Sequence, residues 1–256
     1  MSESKMEENK TNENNLSEKL ISKIKNYFEE RSIKKAVLGL SGGIDSAVVL
    51  ALLVNTLGKE NVTAILMPNS KITKDSSTKD AENLAKKLGV EYFIVSIDSV
   101  LEVFEILPWK QNNTAKANLN ARARAVVLYN YANSNNCIVA GTGNKSEFYL
   151  GYFTKYGDAA ADFFPIGALL KKEVRLVAEQ LNIGPEFLDK IPSAELWENQ
   201  EDEKELGLSY SVIDELLPLI LKNKEIPKGK EDAAAKLKKI IESTSHKREQ
   251  PVIITF

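Results

Sequence analysis

The run Val37-Leu38-Gly39-Leu40-Ser41-Gly42-Gly43-Ile44-Asp45-Ser46-Ala47 constrains this chain more than any other stretch. An apolar strand enters a turn of two hydroxyls, two adjacent glycines and one acid, and an Ala/Val/Leu-rich helix leaves it at once. Glycine has no Cβ, so the backbone can turn tightly there and approach a ligand closely. The following helix aims its unsatisfied N–H groups and its positive dipole end back at the turn, which makes an anion site. Asp45 inside such a cradle would repel a bare phosphate; a Mg²⁺ between carboxylate and phosphate removes the conflict. The pattern predicts a strand–turn–helix unit that holds a nucleotide polyphosphate together with its metal. An ordinary strand-to-helix turn explains the glycines but gives no reason for the Ser/Asp/Ser pattern around them.

Beyond this unit, strands and helices alternate. Leu16, Leu20, Ile21, Ile24, Tyr27 and Phe28 recur at helical spacing. Strands are expected at 36–40, 62–67, 91–97 and 137–140, with helices at 46–57, 77–88, 99–107 and 116–133. Three of the four strands are short Val/Ile/Leu-rich runs, as in sheets covered on both faces. Such alternation argues an α/β fold with a doubly wound parallel sheet. Ligands then bind beyond the carboxyl ends of the strands, where the strand order reverses. The first and fourth strands are expected as neighbours there, with Thr142 and Glu147 facing Ser41–Ser46. Helices at 170–181, 211–221 and 230–243 form a small C-terminal helical part. Residues 1–15 read as a disordered tail and 16–256 as one domain, with 192–207, rich in acids, as a mobile surface segment.

The composition excludes several classes. A net charge of −2 and a pI near 5.8 do not fit a nucleic-acid-binding surface. The single cysteine, Cys137, permits no internal disulfide and is expected in a core strand. No apolar run is long enough to span a bilayer, and the polar N-terminus lacks a signal-peptide segment, so a cytoplasmic enzyme is expected.

The loop is neither a Walker A motif, which has Lys where Asp45 precedes Ser46, nor a G-x-G-x-x-G fingerprint, because its glycines are adjacent. It resembles the Ser-Gly-Gly-x-Asp-Ser loop of the ATP pyrophosphatases, which split ATP into AMP and pyrophosphate to activate an oxygen as an adenylate. Further segments follow in order: Asn118-Leu119-Asn120-Ala121-Arg122-Ala123-Arg124, Gly141-Thr142-Gly143-Asn144-Lys145-Ser146-Glu147, Gly151-Tyr152-Phe153-Thr154-Lys155-Tyr156-Gly157-Asp158, Pro192-Ser193-Ala194-Glu195-Leu196-Trp197 and His246-Lys247-Arg248. From about residue 16 to 250 the chain resembles ammonia-dependent NAD synthetase.

That resemblance implies an adenine nucleotide alpha hydrolase-like sheet and a ligase of the last step of NAD biosynthesis. ATP and Mg²⁺ would activate deamido-NAD, and ammonia would convert the adenylate into the amide, releasing AMP and pyrophosphate. It assigns ATP to Gly39, Leu40, Ser41, Gly42, Gly43, Ile44, Asp45, Ser46, Thr142, Lys171 and Ser193, and Mg²⁺ to Asp45 and Glu147. Ser41, Ser46 and Lys171 would stabilise the transition state, with no side chain acting as acid or base. Deamido-NAD would meet Arg122, Lys155, Asp162, His246 and Lys247. The chain departs from the family at Ala117, usually Gly, and Ala125, often Met. Ala117 fits if its backbone is helical and is strained if φ is positive.

A homodimer is also implied, and the apolar content of the arginine-bearing helix agrees with it. The glutamine-using relatives carry a glutaminase domain for which this sequence has no spare length, so free ammonia is expected. Other adenylating enzymes compete with this reading. A tRNA thiolase calls for a basic face and catalytic cysteines, and a GMP synthetase core leaves Tyr152–Asp158 and His246-Lys247 unexplained. A non-catalytic nucleotide binder needs no second carboxylate such as Glu147.

Overall fold

The computed structural model describes residues 16–193, Trp197, Gln200 and residues 202–256. The expected tail at 1–15 lies outside the described residues, as do Glu195, Glu198 and Glu201 of the acidic segment. The elements are α1 (Leu16–Glu30), β1 (Ala36–Gly39), α2 (Ile44–Leu57), β2 (Val62–Leu66), α3 (Asp75–Leu88), β3 (Glu91–Ile94), α4 (Asp98–Glu102), α5 (Asn113–Asn135) and β4 (Ile138–Ala140). They continue with α6 (Lys145–Leu150), α7 (Lys171–Gln180), α8 (Pro185–Leu188), α9 (Asp202–Leu206), α10 (Tyr210–Leu221) and α11 (Glu231–Ser243).

The four strands are parallel in the order β3-β2-β1-β4. The chain therefore winds outward from β1 in one direction to β3 and returns to place β4 on the other side of β1. The strand order reverses between β1 and β4, as the sequence predicts. Period-2 alternation sorts the core into two layers. Leu38, Ala64 and Leu66 pack with residues of α1, α2 and α7, while Val37, Ile65 and Val139 pack with those of α5. A third cluster joins α10 and α11, through Ile213, Leu216, Leu217 and Leu237, to Leu150 of α6.

Local chemistry sets the boundaries. Helix α5 starts before the expected 116 because the Asn112 side chain accepts from the Ala115 N–H and caps it. Helix α3 ends at Gly89, whose φ of 68° supplies the left-handed stop. Ala117 lies within α5 without positive φ, so it fits as a helical residue.

Several expectations are corrected. β3 stops at Ile94 and is an edge strand, with Phe93 and Ile94 exposed, because one neighbour alone pairs with it. Cys137 precedes β4 and is half-buried rather than a core strand residue. The acidic segment is not wholly a surface loop: it contains α9, in which Asp202 and Leu206 are buried. Among the described residues, no helix is long and apolar enough to cross a membrane.

Candidate active site

The carboxyl ends of β1 and β4 open into one cavity of about 850 Å³, within the usual range for small-molecule sites. Its wall includes the whole loop from Gly39 to Ser46, then Thr142, Glu147, Lys171, Ser193 and Lys247. The loop is braced internally. Ser46 Oγ donates to the Gly43 carbonyl at 2.9 Å and lies 3.1 Å from Ser41 Oγ, and Ser41 Oγ accepts from the Gly43 N–H at 3.2 Å. Gly42 takes φ +83°, and a Cβ there would collide with the Ser77 carbonyl oxygen of α3. The first N–H groups of α2 have no acceptor four residues upstream in the helix and open toward this cavity.

Two carboxylates meet at this end of the sheet, as expected. Asp45, in the first turn of α2, and Glu147, in the first turn of α6, both contact the ammonium of Lys171, the latter at 3.3 Å. The Lys171 side chain is only 4% exposed, so the trio is a buried charge cluster. Burial pushes the Glu147 carboxyl up to about 8; the Asp45 charge adds to the push and Lys171 offsets part of it. Burial alone would lower the Lys171 pKa, but Asp45 and Glu147 outweigh it and hold the lysine above its ordinary value, so it remains a cation.

Two residues outside the expected set hold this cluster. The fully buried Asn144 donates to Asp45 Oδ1 at 2.9 Å and accepts from the Glu147 N–H at 3.0 Å, while Glu147 accepts from the Asn144 N–H. This capping box orients Glu147 and ties it to Asp45. The Asn-x-x-Glu spacing signals the box in sequence; the bridge to a residue 99 positions away has no local signal. Asp214, 2% exposed on α10, accepts from Ser146 Oγ at 2.6 Å and from the Lys172 N–H at 2.7 Å. Ser146 Oγ in turn accepts from the Lys171 N–H. Asp214 thus fixes the starts of α6 and α7, where Glu147 and Lys171 sit.

Four of the five residues expected to bind the second substrate lie in segments that hydrogen bonds join to one another. Arg122 donates to the Lys155 carbonyl, Lys155 to the carbonyls of His246 and Glu249, and Lys247 to those of Gly151 and Phe153. Only Lys247 of this group lines the cavity itself. Asp162 stands apart. It accepts from the Val139 N–H at 2.7 Å and from the Tyr129 hydroxyl at 3.3 Å, closing the outer edge of β4. Across the cavity, Tyr152, Trp197, Asp202 and Glu205 form a further wall, tied together by bonds from Gln200 to Tyr152 and Glu205.

The donor set suits a divalent cation: two carboxylates already converge on one cationic group. Among the described residues, no group of three or more His, Cys, Asp or Glu is placed to hold a metal, so phosphate oxygens and water would complete an octahedron.

A family model described as NAD synthase matches residues 16–251. The NH(3)-dependent NAD(+) synthetase of Archaeoglobus fulgidus is 45% identical over 85% of this chain and 87% of its own length. The protein of the same name from Methanococcus aeolicus is 46% identical over 81% and 85%. Among solved structures, NH3-dependent NAD synthetase from Campylobacter jejuni superimposes with a TM-score of 0.80 at 35% identity, covering 93% of this chain and 97% of that one. An NMN synthetase from Francisella tularensis gives 0.84 at 36%, covering 94% and 97%. A match that runs through nearly every described element, over a site built of the motifs read above, leaves one conclusion: this chain belongs to the NAD synthase family.

Proposed function

We propose that this chain is an ammonia-using NAD synthetase that amidates deamido-NAD at the expense of ATP. The observation that carries the reading is the convergence of Asp45, Glu147 and Lys171 beside the 41–46 loop. The ammonia-dependent relatives match over most of their length, whereas a glutamine-dependent NAD+ synthetase from Acinetobacter baumannii is matched over 45% of its own.

In the first step an oxygen of the nicotinate carboxylate bonds to the α-phosphorus of ATP, and the bond to pyrophosphate breaks. The first-turn N–H groups of α2, the hydroxyls of Ser41 and Ser46, and Lys171 neutralise charge that grows on the leaving pyrophosphate. Gly39, Leu40, Gly42, Gly43, Ile44, Thr142 and Ser193 shape the nucleotide pocket around them. Asp45 and Glu147 would hold Mg²⁺, which supplies charge neutralisation to the polyphosphate when bound. In the second step ammonia attacks the acyl carbon of the adenylate, AMP departs, and a proton is lost as the amide forms. Tyr152, Trp197 and the α9 wall border the place where the adenylate must be shielded from water. Arg122, Lys155, His246 and Lys247 receive the dinucleotide, with Asp162 as a candidate contact at its far end.

The NMN synthetase neighbour makes the mononucleotide, nicotinic acid mononucleotide, a second substrate to test. The decisive assay is pyrophosphate release with ATP, Mg²⁺ and ammonia, comparing the two acids. Release that depends on deamido-NAD and ammonia together supports the reading. A kcat/KM higher with the mononucleotide reassigns the chain to NMN synthesis, and steady-state release that needs neither acid rejects both. We further propose a homodimer, because β3 and α5 leave Phe93 and Val126 exposed on the side of the sheet that α5 covers.

A further inference from the structure

Lys190 follows α8 and lines the cavity, yet none of the roles above uses it. Its ammonium donates to the Gly42 carbonyl oxygen at 3.0 Å, to Ser77 Oγ at 2.9 Å and to the Asp80 carboxylate at 3.4 Å. An ammonium has three protons, so these acceptors engage all of them and leave none for a ligand. The side chain is 25% exposed, so it is largely shielded from water.

The acceptor on Gly42 is the informative one. The peptide joining Gly42 to Gly43 is held at both ends, its oxygen by Lys190 and its N–H by Ser41 Oγ. Flanked by two glycines, this peptide plane meets little steric resistance to rotation. Rotation would bring the negative end of its dipole round toward a bound polyphosphate and would disturb the first turn of α2. Ser77 and Asp80 both belong to α3, so they hold the ammonium on the side of the loop that packs against that helix.

We propose that Lys190 is a positioning residue: it locks the Gly42–Gly43 peptide so that the 41–46 loop keeps a phosphate-binding shape. This role rests on the assignment of that loop to the pyrophosphate moiety. An ion pair with Asp80 alone, at 3.4 Å, would not be selective for any ligand.

The test measures binding of Mg-pyrophosphate and of AMP by calorimetry, with steady-state kinetics alongside. It uses the full chain and its Lys190→Met, Lys190→Arg and Asp80→Asn variants. Lys190→Met is expected to bind pyrophosphate about ten- to a hundredfold more weakly, the scale of a lost charge-assisted hydrogen bond. Its affinity for AMP, which lacks the β- and γ-phosphates, stays within about twofold, and KM for ATP rises. Lys190→Arg recovers part of the affinity because it can again donate, and Asp80→Asn shows a smaller loss of the same selectivity. A wild-type protein that does not bind pyrophosphate overturns the cradle assignment itself. Wild-type binding with equal binding by Lys190→Met overturns the role of Lys190 alone, as does an equal loss of AMP and pyrophosphate. If Lys190→Met does not fold, Asp80→Asn decides by the same ratio of pyrophosphate to AMP affinity.

Discussion

Lys171 sits where two carboxylates would otherwise face each other with no counter-charge. Its ammonium is buried, and both Asp45 and Glu147 lie on it. Removing one partner of a buried ion cluster leaves charge uncompensated and typically costs about 3–5 kcal/mol. Lys171→Met is therefore expected to lower Tm sharply in EDTA. Mg²⁺ should restore more of the loss than it adds to wild type, because the metal replaces the missing positive charge between the same two acids. Calorimetric melts of both proteins with and without Mg²⁺ check this, and an equal metal effect on both would count against the paired-carboxylate site. Asp45→Asn tests the chemistry instead. The side chain keeps its size but loses its charge, and its single amide oxygen replaces only one of the two oxygens that now accept from Asn144 and Lys171. We expect kcat for pyrophosphate release to fall by about 10²–10³, the typical loss for one preorganised transition-state contact, while deamido-NAD still binds. Turnover like wild type at saturating Mg²⁺ would remove Asp45 from the mechanism. Asp45 and Glu147 were legible in the sequence because each lies in a short motif, and Lys171 was named only through the family resemblance. Asn144 and Lys190 were not legible, since the acceptors that define them are about 100 or more positions away.

At the scale of elements, the alternation of apolar strands and amphipathic helices was enough to give the parallel sheet and the adjacency of β1 and β4. Periodicity registers which face of an element is covered, not which edge of a sheet is left open. It therefore did not reveal that β3 is a half-exposed edge, nor that α9 inserts Asp202 among acids and tyrosines. Two buried or bridging acids show what tertiary structure adds. Asp162 closes the outer edge of β4, where Val139 would otherwise lack an acceptor. Asp162→Ala should destabilise the protein by about 1–3 kcal/mol, the cost of leaving such a donor unpaired, as read by denaturant midpoint. An unchanged midpoint would mean that water replaces the carboxylate. Asp214 joins the C-terminal helices to the site by fixing the starts of α6 and α7. Asp214→Asn puts an amide N–H where one of two donors now points. The Mg²⁺ concentration for half-maximal activity is expected to rise several-fold, beyond that of a Leu217→Ala control. Leu217 belongs to the same helical cluster but touches none of these groups through polar atoms. Matching shifts in the two variants would reduce Asp214 to a packing role.

The whole molecule presents an unbalanced surface. On the side of the sheet covered by α5, Phe93 of the β3 edge is 42% exposed, and Val126 of α5 is 67% exposed. The Phe93 ring lies 5.7 Å from that of Tyr131, which places β3 and α5 on one face. The stretch after α4 adds Val103, Ile106 and Trp109, exposed by 63%, 84% and 62%. Single exposed apolar residues are ordinary, but Phe93 and Val126 belong to two elements that pack together, the kind of grouping an interaction surface presents. A second copy of the chain is the occupant that the family resemblance implies, and a twofold contact would pair α5 with its equivalent. Arg122 lies on the same helix, one turn before Val126, so closing the contact would also bring the partner near the substrate edge. Val126→Glu places two like charges near such an axis at little cost to the monomer, because the side chain is already mostly in water. Wild type is expected to sediment as a dimer of the 28.4 kDa chain, and Val126→Glu as a monomer with an unchanged circular dichroism spectrum. If the dinucleotide site draws on the partner, the monomer should show a raised KM for deamido-NAD and an unaltered KM for ATP, since the 41–46 loop lies at the ends of β1 and β4 within one chain. A wild-type protein that stays monomeric at high concentration, or a monomeric variant with both KM values unchanged, would separate the apolar face from catalysis.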